Sequence, residues 1–307
     1  MFKSLFLITL VLSSISASLA KVELQWLSIG GLSLDDGETK ILIDPTFTRP
    51  TWRHWFLNGE FKSDPESLKL YAGPDLTERV AGIFVTHTHF DHVVDVPEIA
   101  KLSKAPIFGD ENMEAIVKAY QDSSLKVLPL IEGQAVSVGK FRITPINRQH
   151  SKLMGIINFL PGKMSGFDFN FYDFKEGVTR LFLIEHSEGT ILFDIGNTPQ
   201  LAGIQKFRPD LKSVDVLVQG YYENDSQGMI DGYVTSLKPS LFIPIHYDNF
   251  FKPFKPEEIQ QSLFLNLQAM VEAFEKKRPG VEVRVPKFKE KIEVLPRKKE
   301  GSQSSPH

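Results

Sequence analysis

The chain repeats one pattern that restricts its fold: a short apolar run of strand length, ended by a residue able to hold a metal ion. Gly82-Ile83-Phe84-Val85 leads into Thr86-His87-Thr88-His89-Phe90-Asp91-His92, which packs three of the chain's eight histidines and a carboxylate into six positions. Phe141 to Ile146, launched by the Gly139-Lys140 turn, is followed by His150; Thr190 to Phe193 ends at Asp194, and Leu241 to Ile245 at His246. Groups carried just past strand ends are where a rigid sheet presents its chemistry. Two histidines spaced by two on extended chain point the same way, so His87 and His89 can share one cation, while Asp91 and His92 reach a second position beside it. Imidazole and carboxylate suit zinc first and tolerate manganese or iron.

Each later residue is ambiguous by itself. A lone His150 can be a packing or surface residue, and Asp194 with Gly196 can open a turn. Asp44-Pro45 reads either as a turn opening or as a carboxylate orienting a histidine. His54, in the aromatic loop Pro50 to Phe56, either packs or lines a pocket. His186 closes the run Leu181 to Glu185 and is set about 20 Å from the site by the turn that follows, so it is expected at a surface turn.

Taken in order, the H-x-H-x-D-H run followed by a His, an Asp and a His resembles the metallo-β-lactamase superfamily, over nearly the whole chain after residue 20. The resemblance implies His87, His89 and His150 around a first metal, Asp91, His92 and His246 around a second, and Asp194 bridging them. It also implies a four-layer αββα sandwich of class α/β, two mixed β-sheets face to face with helices outside. Trp26 to Gly31 and Lys40 to Pro45 look like the superfamily's first hairpin. The opening Ile41 to Pro45 and the ending Ile243 to Asp248 look most like the branch of ascorbate-6-phosphate lactonase and N-acylphosphatidylethanolamine phospholipase D.

Residues 1–20 have a basic Lys3, an apolar stretch from Leu5 to Leu12 and a small-x-small ending at Ser18-Leu19-Ala20, the three parts of a secretory signal peptide, so an exported, periplasmic or secreted protein is expected. Residues 21–297 are then expected to form one hydrolase domain and 298–307 a solvated, disordered tail. No later stretch approaches membrane-spanning length. The chain has no cysteine, so the donor set is all nitrogen and oxygen. A net charge of −3 without a central basic block argues against nucleic acid as a partner. Oligomeric state leaves no readable trace.

Strands are expected at 22–29, 40–43, 82–86, 134–138, 141–147, 181–185, 190–194, 214–218, 241–245 and 281–285, with helices at 110–120 and 258–276. In the second helix Ile259, Leu263, Leu267, Met270, Val271 and Phe274 form one apolar stripe. Phe167 to Phe174 alternates aromatic and polar residues, as either a half-buried strand or an aromatic wall over the site.

Two close divalent ions imply a hydrolase: a water bridging them is deprotonated near neutral pH and attacks an ester, lactone or phosphodiester, with Asp91 and Asp194 in catalytic roles. The expected substrate is a small-molecule or lipid-like ester. Neither a Gly-x-Ser-x-Gly motif nor a nucleotide-binding glycine pattern competes. Arg148, two residues before His150, is a candidate to hold a phosphate, although a surface salt bridge is the commoner fate of an arginine. Tyr221 and Tyr222 either donate to a developing oxyanion or pack. A non-catalytic metal-binding scaffold is the alternative. A β-lactam hydrolase fits less well, since lactamases of this superfamily usually carry a ligand cysteine or lack the bridging aspartate. A di-iron redox module would ordinarily bring a flavin or rubredoxin domain.

Overall fold

A computed structural model describes residues 21–151, 158–196, 198–221, 226–263 and 265–296. The leader expected at 1–20, the tail expected at 298–307 and Tyr222 lie outside the described residues. Seven strands form the first sheet, in the order β14-β1-β2-β3-β4-β5-β6: β1 Val22–Trp26, β2 Leu32–Asp35, β3 Lys40–Ile43, β4 Val80–Phe84, β5 Ile107–Gly109, β6 Val127–Pro129 and β14 Ile292–Val294. The second runs β13-β12-β11-β10-β9-β8-β7: β7 Val136–Val138, β8 Phe141–Asn147, β9 Arg180–His186, β10 Gly189–Asp194, β11 Val216–Gly220, β12 Leu241–Ile245 and β13 Glu282–Val283. Both sheets are mixed. Pairing is antiparallel on the hairpin side and becomes parallel at β3 in one sheet and at β10 in the other.

Alternation along the strands explains the layering. Ile41, Ile43, Phe84 and Phe108 face the second sheet, in a core shared with Phe182, Phe193 and Val218. Their neighbours Leu42, Ile83, Val85 and Ile107 face the other way, into a second core closed by the helices Val96–Ser103 and Glu111–Ala119. Successive side chains of a strand point to opposite faces, so a strand apolar at every position must be covered on both. Against the second sheet, Phe242 stacks on Phe274 of the helix Leu267–Lys277 at 4.5 Å.

Several expectations change. The run 22–29 ends as a strand at Trp26, because Ser28 and Ile29 take positive φ and Leu27 N donates to Gly31 O in a turn. The helix expected at 258–276 starts at Leu267: Asn266 caps it by accepting from Ala269 N, and Ile259 and Leu263 are exposed rather than part of the buried stripe. Phe167 to Phe174 forms no strand; Phe169 has positive φ, Phe171–Asp173 is a 3₁₀ turn, and Phe167, Phe171 and Phe174 are buried in the second core. His186 is no free surface residue, since its side chain is buried against Phe141 and 3.3 Å from Asp36. Tyr221 is buried in the hydrophobic core of the second sheet.

Candidate metal centre

The H-x-H-x-D-H run works by changing conformation halfway. His87 and His89 follow β4 on extended chain, and the helix Phe90–Val93 begins immediately after His89. His87 Nε2 and His89 Nδ1 therefore meet at 2.9 Å, and His150 Nε2 arrives from the segment after β8 at 3.2 Å from His87 Nε2. The first turn of the helix carries Asp91 and His92 to the other side of His87, whose ring lies 4.1 Å from that of His92. His246, just past β12, completes a second group: Asp91 Oδ2, His92 Nε2 and His246 Nε2 stand 3.3 to 3.5 Å from one another. Two triads result, His87-His89-His150 and Asp91-His92-His246, and Asp44 closes a further grouping with His87 and His92.

The outer nitrogens fix which atoms face inward. His92 Nδ1 donates to Asp44 Oδ2 at 2.7 Å, His89 Nε2 to Phe159 O at 2.9 Å, His150 Nδ1 to Ser151 O at 2.7 Å and His87 Nδ1 to Thr86 Oγ1 at 3.1 Å. Each acceptor sets the tautomer and leaves the opposite nitrogen as a lone pair, the arrangement that orients metal-bound imidazoles. Thr86 can accept because its own hydroxyl donates to Asp44 Oδ2, while Thr86 N donates to Asp44 Oδ1 at 2.8 Å. Asp44 is thus both a turn residue, at φ 44°, and the orienting group of His92.

Electrostatics keep the first triad in ligand form. Burial lowers the pKa of His89 to about 4 and of His150 to about 3, and burial with the neighbouring imidazoles holds His87 well below the usual histidine range. For His92 burial is outweighed by Asp91 and Asp44, which raise it. Burial would raise Asp91, yet His92 and His246 outweigh it and hold its carboxyl well below the usual range. The donor set fits divalent cations: ligand nitrogens roughly 2.0–2.1 Å from a tetrahedral zinc stand about 3.3 Å apart, the spacing of the second triad.

Asp194 belongs to neither triad. Its Oδ1 accepts from Arg148 Nη1 and from Gly196 N, and its Oδ2 from Tyr233 Oη at 2.8 Å. Arg148 is therefore not a surface ion-pair residue: its side chain is 1 % exposed and that of Asp194 fully buried. A Cβ on Gly196 would stand 2.0 Å from three guanidinium atoms, so only glycine admits this arginine. Gly30 has a similar role for His92, whose Cε1 would lie 2.7 Å from its Cβ.

Sequence reasoning missed Thr86, Tyr233, Phe159 and the pair Arg49–Asp248. Asp248 Oδ2 accepts from Arg49 Nη2 at 2.6 Å and from Ile29 N at 3.3 Å, and Ile29 O in turn accepts from His246 N at 2.9 Å. Only Thr86 carried a signal, as a hydroxyl placed directly before a ligand histidine. His54, expected to pack or line a pocket, packs on Phe61 at 4.7 Å, and its Nδ1 accepts from Thr51 N.

Among known proteins, the chain is 25% identical to a UPF0173 metal-dependent hydrolase of Ruegeria pomeroyi over 273 residues, 88% of this chain and 98% of the relative. Igni18, a metallo hydrolase from the archaeon Ignicoccus hospitalis, superposes with a TM-score of 0.56 at 19% identity, covering 89% of this chain and 98% of that one. A metallo-beta-lactamase fold protein of Bacillus subtilis gives 0.56 at 14% identity, covering 89% and 99%. The profile of the Beta-lactamase superfamily domain matches residues 39–247, from β3 through His246, and with both seven-stranded sheets and both triads in place the chain belongs to the beta-lactamase superfamily.

Proposed function

We propose that the chain is a dinuclear metal-dependent hydrolase of esters, lactones or phosphodiesters, with one divalent ion held by His87, His89 and His150 and a second by Asp91, His92 and His246. One observation carries the reading: in each of the two triads the inward atoms lie at ligand-to-ligand spacing, and the outer nitrogens of His87, His89, His92 and His150 are held by acceptors of the fold. Its relatives' description as metal-dependent hydrolases supports it. Bound divalent ions supply acidification of water, from a pKa of 15.7 to about 7, and polarisation of a carbonyl or phosphoryl oxygen.

The chain's own residues do the rest. Asp91 stays ionised at neutral pH because His92 and His246 favour its charged form, which keeps its carboxylate available as an anionic ligand beside those two histidines. Asp44 holds His92 in the ligand tautomer. The bridging and catalytic roles implied for Asp194 would have to be shared with the hydrogen bonds its oxygens already accept from Arg148, Gly196 N and Tyr233; in the arrangement seen it is the counter-charge of Arg148. Burial, with Asp194 beside it, raises the Tyr233 hydroxyl well above its usual range, so it remains a donor.

Elemental analysis of the purified chain tests the reading, paired with turnover of bis(p-nitrophenyl) phosphate and p-nitrophenyl esters before and after chelation. About two metals per chain and chelator-sensitive turnover are expected. One metal or none, with no turnover after zinc, manganese or iron is restored, would leave the scaffold alternative. We also place the protein outside the cytoplasm on the strength of residues 1–20, so intact mass of the exported chain should start at Lys21.

A further inference from the structure

The metal centre is flanked by an unbroken run of aromatic rings. Phe159 packs on His89 at 5.6 Å, Trp55 on Phe159 at 5.9 Å, Phe251 on Trp55 at 4.8 Å, Phe250 on Phe251 at 4.5 Å, and Phe250 on His246 at 5.6 Å. The run thus joins a histidine of one triad to a histidine of the other, using rings from three separate segments. Phe90, buried and directly after His89, lies beneath and touches Trp55, Phe159 and Phe250. Phe251 is 52 % exposed, and the helix that carries Trp55 also exposes Trp52, Phe56 and Leu57, which are 61 %, 81 % and 68 % exposed. Those three belong to the helix Trp52–Leu57, which buries none of its residues. Trp55, Phe159 and Phe250 pack partly buried on the second core, whereas Phe251, Trp52, Phe56 and Leu57 leave apolar surface exposed, and exposed apolar clusters of this kind mark binding sites.

We propose that Trp55, Phe159, Phe250 and Phe251 form a subsite for an apolar arm of the substrate, an aryl or medium-chain acyl group attached to the bond cleaved at the metals. The continuity of the rings with both triads argues for this occupant: an arm lying along them keeps its attached carbonyl or phosphoryl group beside His89 and His246. No carboxylate belongs to the run, so the wall selects by apolar contact, which is worth about fourfold in affinity per buried methylene. The turnover part of the proposal rests on the hydrolase reading; the binding part does not.

The test uses the full chain, metal-loaded and metal-free. With p-nitrophenyl esters from acetate to octanoate, kcat/KM should rise at least about tenfold with chain length. In Phe251→Ser and Phe250→Ser that preference should fall about tenfold, with metal content unchanged. Independently of turnover, the non-hydrolysable p-nitrophenyl hexyl ether should quench tryptophan fluorescence saturably, and about tenfold more weakly in both variants. A flat chain-length profile, or quenching that the variants leave intact, overturns the subsite. If no ester is cleaved while saturable, variant-sensitive quenching persists, the hydrolase reading fails and the subsite stands. A dimer by sedimentation that excludes the ether would make this face an interface between copies and overturn the proposal.

Discussion

Replacing Gly196 by alanine should break a deeply buried ion pair, Arg148–Asp194, without touching either charged residue. The new Cβ would stand 2.0 Å from Cζ, Nη1 and Nη2 of Arg148, so the guanidinium must withdraw from Asp194. The backbone is no obstacle, because Gly196 is not among the glycines with positive φ, and the effect is purely one of space. Arg148 and Asp194 are 1 % and 0 % exposed, and separating a pair this buried costs roughly 3–5 kcal/mol. With a urea slope of about 3 kcal/mol/M, the unfolding midpoint of the metal-free chain should fall by about 1 to 1.7 M. Gly166→Ala is the control: its Cβ would meet nothing within 4 Å, and the change should be neutral or slightly stabilising. In an Arg148→Ala background Gly196→Ala should cost nothing further, which double-mutant denaturation reads directly. A loss below about 1 kcal/mol for Gly196→Ala, or full additivity with Arg148→Ala, would refute the argument.

Two further outcomes follow from the triads. Asp44→Asn removes the charge that holds His92 Nδ1, and chelator competition should show metal affinity down about 10- to 100-fold with the circular dichroism spectrum unchanged; an unaltered affinity would remove Asp44 from the centre. The metal-free chain should also lose stability on acidification from pH 6.5. His87, His89 and His150 have lowered pKa values, so below 6.5 the unfolded chain binds protons that the folded one refuses, by about 1.4 kcal/mol per pH unit for each histidine. The loss continues to about pH 4, where His89 itself titrates. His92, raised, acts only above 6.5, and Asp91, lowered, only below its ordinary 3.8, so neither offsets the slope. Denaturation midpoints flat between pH 6.5 and 4.5 would contradict it.

What could be read from the chain was what strand periodicity and local spacing control. The long apolar strands β8 to β12 and the residues at their C-terminal ends follow from pattern, because a ligand just past a strand needs no knowledge of the rest of the fold. β5, β6 and β14 are three residues each, too short for any period to show, and they exist because neighbouring edges offer hydrogen bonds. β2 was hidden by the turn before it: the apolar Leu27 and Ile29 continue the look of β1, and the reversal depends on Gly30 and Gly31 fitting under His92 and beside Ser28 O. The engagement of Asp194 was invisible for a similar reason. Arg148, Gly196 and Tyr233 carry no mutual spacing rule, and they meet only because β8, β10 and the segment around Ile230–Val234 converge.

The two sheets sharpen the question of what Asp194 does. In each, the strand at which pairing turns from antiparallel to parallel leads into a fully buried aspartate, Asp44 after β3 and Asp194 at the end of β10. Asp44 directs its charge at His92 and so strengthens a donor. Asp194 directs its charge at Arg148, which cancels it. Its neighbour Ile195 and the ring of His92 flank the same Gly30, so the backbone that follows Asp194 passes beside the second triad. Arg148→Met should leave a buried, uncompensated carboxylate one residue from that contact. The metal-free variant should be less stable than wild type by roughly 3–5 kcal/mol. Added zinc should recover much of that loss, with the second cation bound more tightly than in wild type, because binding to the folded state alone stabilises it by mass action. Calorimetric titration of zinc into both chains decides the point. Equal or weaker zinc affinity in Arg148→Met would mean that Asp194 cannot reach the centre even when released, and that its pairing with Arg148 serves the fold alone.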